Sequence, residues 1–282
     1  MHIMKNSERA RYIMEASRSM LYNLPTMAKG HKFKALSLAA LDYTSQKHNL
    51  NFTPLRHQVV AYILSLGIVI NDYYDIDRLD KKKYRQLRKS ISEDPFMEEQ
   101  YHAYFKSIRQ IEQNRPLPGN TQGCIDYREK LNLISLAVNC SLAFEIPLTT
   151  MVDTHSKVSI KPDAPVWFQP LFFTVMALQV VDDMIGCRGD SLNHRPSFFT
   201  AFGELQNLTD IKSIRQHFSK MGKLFNDYLE QAKAIDPGYV YPFILASKLI
   251  YSTLPKIAEF LHQPGLRYFA SVLLTDRDIE QK

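Results

Sequence analysis

A short acidic stretch in the second half of the chain has the residue types of a metal site. It overlaps the end of an apolar run at 166–181 and carries Gln179, Asp182, Asp183 and Asp190. If the helix continues through 190, spacings of three, four, seven and eight place these side chains on one side. Carboxylates beside an apolar helix end are costly unless a cation lies among them. Mg²⁺ is the expected cation, because it is typically held by one or two carboxylates together with substrate phosphates.

A second acidic stretch has the same arrangement. It closes an apolar run at 59–70 with Asn71, Asp72 and Asp75, and the two aspartates are three residues apart on one helix face. Two such helix ends, placed opposite each other, predict a clamp that holds a diphosphate through bridging metal above an apolar cavity. Aromatic side chains lie near both stretches. Tyr73 and Phe172 are candidates for substrate contact, with ordinary core packing as the alternative for each.

The composition bounds the class of protein. The chain has 282 residues, of which 45% are hydrophobic and 23% charged, and a formal net charge of +6. Each half carries only one acidic stretch, so a single domain, 1–282, is expected. No basic block with interleaved aromatics is present, so nucleic acid is not an expected partner. Three cysteines without metal-type spacing favour a reducing cytoplasm. The sequence has no evident signal peptide, and its apolar runs are too short for an integral membrane span.

Helical patterns cover most of the sequence. Helices are predicted at 7–24, 34–48, 54–77, 96–113, 125–150, 166–190, 208–234, 239–262 and 265–274. Thr53 is the expected N-cap of the third helix, and Pro147 should kink the fifth. Loops are predicted at 115–123 and 153–165, and the basic segment 81–89 is predicted as an exposed loop or a helix start. No strand-like alternation persists, so the predicted fold class is all-α.

One class of reaction fits these features. The sequence has no Gly-rich phosphate loop, His-Glu-x-x-His, paired Cys-x-x-Cys or Gly-x-Ser-x-Gly motif. Mg²⁺ that bridges carboxylates and a substrate diphosphate neutralises charge as pyrophosphate leaves. The allylic carbocation that remains needs a closed apolar cavity, because water would destroy it, and aromatic faces stabilise it.

The acidic stretches resemble motifs of the class I isoprenoid synthase superfamily. Gln-x-x-Asp-Asp-x-x-x-x-x-Gly-Asp at 179–190 looks like the second aspartate-rich motif of the trans-isoprenyl diphosphate synthases. Asn-Asp-x-x-Asp at 71–75 resembles their first motif, and the segment 241–257 is similar to a late helix of squalene and phytoene synthases. The resemblance implies the all-α class I isoprenoid (terpenoid) synthase bundle around a central apolar cavity, with Mg²⁺ as cofactor.

Departures from these motifs leave three functions open. Gly186 stands in place of the third aspartate of the second motif, and Asn71 in place of the first aspartate of the first. One hypothesis is a terpene synthase that ionises an allylic prenyl diphosphate and cyclises or rearranges the carbocation. A second is a prenyltransferase that condenses two prenyl units. A third is a non-catalytic helical protein that binds isoprenoids.

The first hypothesis gives each residue a role. The expected metal ligands are Asp72, Asp75, Asp182, Asp183 and Asp190, and the first four are the expected catalytic residues. Gln179 is expected to hydrogen-bond a metal-bound water, and Arg188 and Arg195 are candidate diphosphate contacts. The protein is expected to be a monomer or homodimer. Intramembrane aromatic prenyltransferases are also similar in their motifs, but a mean hydropathy of −0.25 disfavours them.

Overall fold

Helices form most of the described chain and pack around one hydrophobic core. The structure is a computed structural model that describes residues 10–11, 14, 18, 32–76, 79–92, 94–154, 158–203 and 211–239. The helices are α1 (Lys32–His48), α2 (Pro54–Ile76), α3 (Lys81–Ser92), α4 (Pro95–Gln113), α5 (Thr121–Phe144), α6 (Leu148–Met151), α7 (Phe168–Ile185), α8 (Cys187–Leu192) and α9 (Ile211–Ile235). A 3₁₀ turn covers Thr200–Phe202. The predicted all-α class is confirmed for this part of the chain.

The helix α5 connects the other helices of the bundle. It packs against α2, α4 and α7, while α9 packs along α7. Most of its second half is buried, from Leu133 to Ala143. Burial of such apolar side chains contributes roughly 1.5–3 kcal/mol each and is the main stabilising term of the fold. Because α2 and α7 both rest on α5, residues more than a hundred positions apart come to lie around one space.

Side-chain caps begin two helices where the sequence predicts them. The Thr53 hydroxyl accepts a hydrogen bond from the Arg56 N–H at 3.2 Å, and α2 begins at Pro54. The Asp94 carboxylate accepts hydrogen bonds from the N–H groups of Phe96 and Met97, at 2.8 and 3.2 Å. These caps satisfy N–H groups that have no partner within the helix. The basic segment at 81–89 belongs to helix α3.

The helix predicted at 125–150 differs at both ends. It begins at Thr121, because the Asn120 side chain accepts a hydrogen bond from the Gly123 N–H at 3.0 Å. It ends at Phe144, and Glu145 takes a left-handed conformation with φ of 56°. The predicted kink is wrong, because Pro147 disfavours a helical residue before it and the helix stops instead. The predicted loop at 115–123 is correspondingly shorter.

The loop predicted at 153–165 contains a small antiparallel ladder. Strands β1 (Val152–Asp153) and β2 (Ser159–Ile160) pair through Val152 opposite Ile160. The expectation of no strand is wrong at this ladder, because two-residue strands leave no alternating pattern in a sequence.

The helix predicted to continue through 190 breaks at Gly186. Helix α7 ends at Ile185, and the Gly186 N–H donates to the Asp182 carbonyl oxygen at 2.8 Å. Helix α8 begins at the next residue. Glycine is a poor helix former, so a change of direction costs least there. The prediction of one continuous helix is therefore wrong.

Several predictions lie outside the described residues. They include most of the helix at 7–24, the segment 241–257 and the predicted helix at 265–274. Among the described helices, α7 is long and apolar enough to cross a membrane by length and composition. Of the window concerned, 67% is buried inside the fold, as in the core helix of a globular bundle, so the evidence for a span is weak.

Candidate functional site

A cavity of about 420 Å³ lies between α1, α2, α4, α5 and α7. Apolar residues of α2, including Ile63 and Ile68, form much of one wall. The C-terminal part of α2 contributes Asn71, and that of α7 contributes Gln179 and Asp182. Both stretches therefore border one cavity: Asn71 and Tyr74 line it from the first stretch and Gln179 and Asp182 from the second, while Asp72 and Asp75 are not among its lining residues. Its walls carry polar as well as apolar side chains. The volume falls within the range of sites for one small-molecule ligand, roughly 300–1,000 Å³.

Asp183 is held by four hydrogen-bond donors. Arg128 of α5 contacts both carboxylate oxygens, with Nε to Oδ2 at 3.0 Å and Nη2 to Oδ1 at 2.9 Å. The Phe198 N–H donates to Oδ2 at 2.7 Å, and the Gln179 amide donates to Oδ1 at 2.8 Å. Only 1% of the Asp183 side chain is exposed. A buried carboxylate needs such compensation, so this aspartate fixes the position of Arg128 at the cavity wall.

Arg128 also faces Asp190, the last acid of the stretch. Its Nη2 lies 3.7 Å from the Asp190 Oδ2. Burial and the nearby Asp183 charge raise the pKa of Asp190 to about 7, while Arg128 opposes this rise. One guanidinium therefore faces two carboxylates across the break at Gly186. Asp183 and Asp190 thus face one guanidinium despite the break in the helix, and the expectation that all four side chains lie on one side stays a prediction.

Asp75 has its own arginine partner at the other helix end. Arg115, from the loop before α5, contacts the Asp75 carboxylate and donates to the Tyr74 carbonyl oxygen at 3.1 Å. The Asn71 amide donates to Asp75 Oδ2 at 2.8 Å, and Arg195 Nη1 lies 3.9 Å from the same oxygen. The Asn71 side chain thus serves as a hydrogen-bond donor to its neighbour.

Glu112 extends this cluster into the cavity. Its Oε1 accepts a hydrogen bond from the Tyr127 hydroxyl at 2.9 Å, and its Oε2 lies 3.2 Å from Arg115 Nε. Burial raises the pKa of Glu112, and the Arg115 charge works in the opposite direction. The same arginine nitrogen donates to the Tyr127 hydroxyl at 3.2 Å. Carboxylates and guanidinium groups therefore alternate in the cluster around Asp75 and Glu112.

A metal ion would bind at this site together with a substrate, because the acids that the structure describes do not form a preformed set of ligands. Among the described residues, no group of three or more His, Cys, Asp or Glu side chains could hold a metal. Asp182 is exposed at the cavity, and Asp72 is half-buried one turn after the cavity residue Ile68. Mg²⁺ needs only one or two carboxylates when phosphates complete its shell. Asp182 lines the cavity and fits that requirement, while Asp72 is not among the lining residues and stays a predicted ligand.

The remaining acids bind arginine in this arrangement. Asp75, Asp183 and Asp190 each face a guanidinium, and a metal ion that bound to any of these carboxylates would have to compete with the arginine. Their assignment as ligands stays a prediction. The sequence alone could not predict which acid pairs with which arginine, because Arg115 and Arg128 stand far from both acidic stretches. The one local signal was a charged residue, Arg128, at the start of a long apolar helix.

Three predicted substrate contacts are placed elsewhere or lie outside the description. Tyr73 is 44% exposed and packs edge-on against Tyr74, with ring centroids 5.2 Å apart. Phe172 is buried in the core against Phe173, at 5.6 Å. Neither is among the residues that line the cavity. Arg188 belongs to α8, and its side chain lies outside the described part of the chain.

Comparison with known proteins gives no assignment for this site. No protein-family model matches the chain, and neither a curated protein nor a solved structure matches it. What indicates the chemistry of the site is therefore its own geometry. It has two acidic helix ends, two arginines between them and a cavity with an apolar α2 wall beside them.

Proposed function

We propose that the chain binds one allylic prenyl diphosphate in this cavity and ionises it in the manner of a class I isoprenoid synthase. The observation that carries the proposal is the shared cavity. Asn71 of α2 and Asp182 of α7 border the same space, whose α2 wall is mostly apolar. An amphiphile with an anionic head and a hydrocarbon tail has the complementary distribution of polarity.

The arginines supply the complement to the diphosphate. Arg128 lines the cavity, and guanidinium groups bind phosphate oxygens through paired, charge-assisted hydrogen bonds. Asp183 holds this arginine in place, since both guanidinium contacts run to its carboxylate. Arg115 and Arg195 meet at Asp75 and provide further positive charge beside α2. These residues orient the head group and leave the tail to the apolar walls.

Mg²⁺ is proposed as the cofactor, with Asp72 and Asp182 as its protein ligands. When bound with the substrate, the ion supplies charge neutralisation to the departing pyrophosphate. The chain itself keeps bulk water away from the reactive tail along the apolar part of the wall, where side chains such as Ile63, Ile68 and Val175 line the cavity.

The size of the cavity favours one substrate over two. About 420 Å³ is near the lower end of ligand sites in general. Cyclisation or rearrangement of one chain is therefore better supported than condensation of two prenyl units. A cytoplasmic location and a monomeric or homodimeric state stay predictions.

A second candidate function follows from the arginine pairs. Because Asp75 and Asp183 already have guanidinium partners, the same cavity suits a protein that binds a prenyl diphosphate and does not turn it over. Such a protein would bind its ligand equally well with and without Mg²⁺. That independence distinguishes it from the enzyme.

The deciding experiment is incubation with C10 to C20 allylic diphosphates, with and without Mg²⁺, followed by assay of pyrophosphate and extraction of hydrophobic products. The enzyme is expected to release pyrophosphate only with Mg²⁺, and Asp182→Asn should lower the rate by about a hundredfold, or 2.7 kcal/mol. Asp227→Asn is the matched control, because Asp227 is exposed on α9 and does not line the cavity. Equal losses in both variants, or no pyrophosphate with any substrate, would refute the proposal. Metal-independent binding without turnover would favour the second candidate.

A further inference from the structure

Polar side chains run along the cavity wall formed by α5. Four of its cavity residues are Arg128, Asn132, Ser135 and Asn139. Their spacings of four, three and four residues keep them on one helix face. The stripe spans eleven residue steps, from 128 to 139, or about 16 Å at a rise of about 1.5 Å per residue. Polar groups thus extend from the charged mouth deep into a cavity whose α2 wall is mostly apolar.

Asn139, at the far end of this stripe, has an unsatisfied polar atom. The residue is only 8% exposed, and its amide oxygen has no hydrogen-bond partner among the described residues. Leaving a buried acceptor without a partner costs about 1–3 kcal/mol, and such groups are rare in folded proteins. Because Asn139 lines the cavity, the missing donor is expected there.

Two hydroxyl groups stand close to this amide. Ser135 precedes Asn139 by one helical turn, and its side chain interacts with the hydroxyl of Tyr104 on α4. Both Ser135 and Tyr104 line the cavity. On the facing helix, a methyl group at Gly67 would lie 3.4 Å from the Tyr104 hydroxyl, so the glycine leaves this group accessible from α2. A buried water typically needs two to four polar partners, and the cavity wall offers these three side chains for that role.

We propose that Tyr104, Ser135 and Asn139 hold a water molecule that adds to the carbocation, so that the product is an alcohol. The inference rests on the proposed function. The bond between the allylic carbon and the diphosphate oxygen breaks, and its electron pair leaves with pyrophosphate. The oxygen of the water then forms a new bond to the cationic carbon, and the proton that it loses passes by way of the polar groups along α5 to the pyrophosphate, which is the final base. No oxidant or reductant is involved.

The position of the water determines where the hydroxyl group appears. Ser135 and Asn139 lie seven and eleven residues beyond Arg128, or about 10 and 16 Å along the helix. The carbon that carried the diphosphate stays near the charged mouth. The water therefore reacts with positive charge that a distal double bond has carried along the hydrocarbon, away from that carbon. The hydroxyl group is therefore expected on a carbon remote from the one that carried the diphosphate.

The test is turnover of farnesyl diphosphate with Mg²⁺ in ¹⁸O-labelled water, with products identified by mass spectrometry. The wild-type protein should form an alcohol that carries ¹⁸O at a distal carbon. Asn139→Leu should lower the alcohol share, measured as a fraction of all products formed, at least tenfold. Retained pyrophosphate release shows that the variant is folded.

A second pair of variants separates water binding from general damage to α5. Ser135→Ala should also lower the alcohol share. Ser141→Ala is its control, because Ser141 is buried on the same helix, does not line the cavity and donates to the Gln100 side chain at 3.1 Å. Pyrophosphate release with hydrocarbons alone, or an alcohol share unchanged in Asn139→Leu, overturns the inference and leaves the proposed function standing. A wild-type protein that releases no pyrophosphate overturns both.

Discussion

Replacing Arg128 with methionine removes the charge that compensates Asp183 and keeps the apolar stem of the side chain. The carboxylate is 1% exposed, and Arg128 provides two of its four donors, at 2.9 and 3.0 Å. Removing one partner of a buried ion pair typically costs about 3–5 kcal/mol, because the other charge is left in a poorly solvated place. The Phe198 N–H and the Gln179 amide still donate. The lower end of that range, about 3 kcal/mol, is therefore expected.

Urea unfolding of a double-mutant cycle measures this coupling. Arg128→Met and Asp183→Asn are each compared with wild type and with the double variant, in the presence of a metal chelator. The double variant should be less destabilised than the sum of the single variants by at least about 1.5 kcal/mol, since it leaves no unpaired charge at position 183. The control cycle uses Lys233→Met and Glu230→Gln. That pair is exposed on α9 with Nζ to Oε1 at 3.1 Å, and its expected coupling is below about 0.5 kcal/mol.

Two results would refute this reasoning. One is a loss below about 1 kcal/mol in Arg128→Met, which would mean that the guanidinium does not compensate the carboxylate. The other is additivity of Arg128→Met and Asp183→Asn, which would mean that the two side chains act separately. Either result would support the alternative in which Asp183 is reserved for a metal ion.

Three further predictions concern single positions. The pKa of Asp190 is raised from 3.8 to about 7, so between these pH values the native state keeps a proton that the unfolded chain loses. The free energy of unfolding should therefore fall as pH rises from 3.8 to 7. In urea titrations at several pH values, Asp190→Asn should lack this slope. A Cβ at Gly186 would lie 4.0 Å from Asp190 Oδ2. Gly186→Asp should therefore strengthen Mg²⁺ binding about tenfold in calorimetric titration, while the control Gly186→Ala should bind Mg²⁺ as the wild type does. Equal Mg²⁺ affinities of Gly186→Asp and wild type would contradict this. Asp94→Ala should cost about 1 kcal/mol in thermal unfolding because two N–H groups lose their cap, while Asp94→Asn should cost much less.

Local patterns in the sequence were sufficient for most of the secondary structure. Thr53 with Pro54, and Asp94 with Pro95, begin their helices because a cap acts on N–H groups only two or three residues away. The all-α class follows from the same helical periodicity. The breaks at Glu145 and Gly186 were harder to predict. There the choice between a kink and an end depends on where the following segment packs, which no local pattern records.

The sequence by itself determined that two apolar helices end in acids and that their spacing suits a cation beside a hydrocarbon. Only the tertiary structure decided which charges meet. Arg128 and Arg115 reach Asp183 and Asp75 from 55 and 40 residues away, across helices whose approach depends on the packing of the whole core. The polar stripe on α5 likewise becomes a cavity wall only once α2, α4 and α7 surround it. Pairing of charges depends on distance in space, and distance in space is a property of the packed bundle.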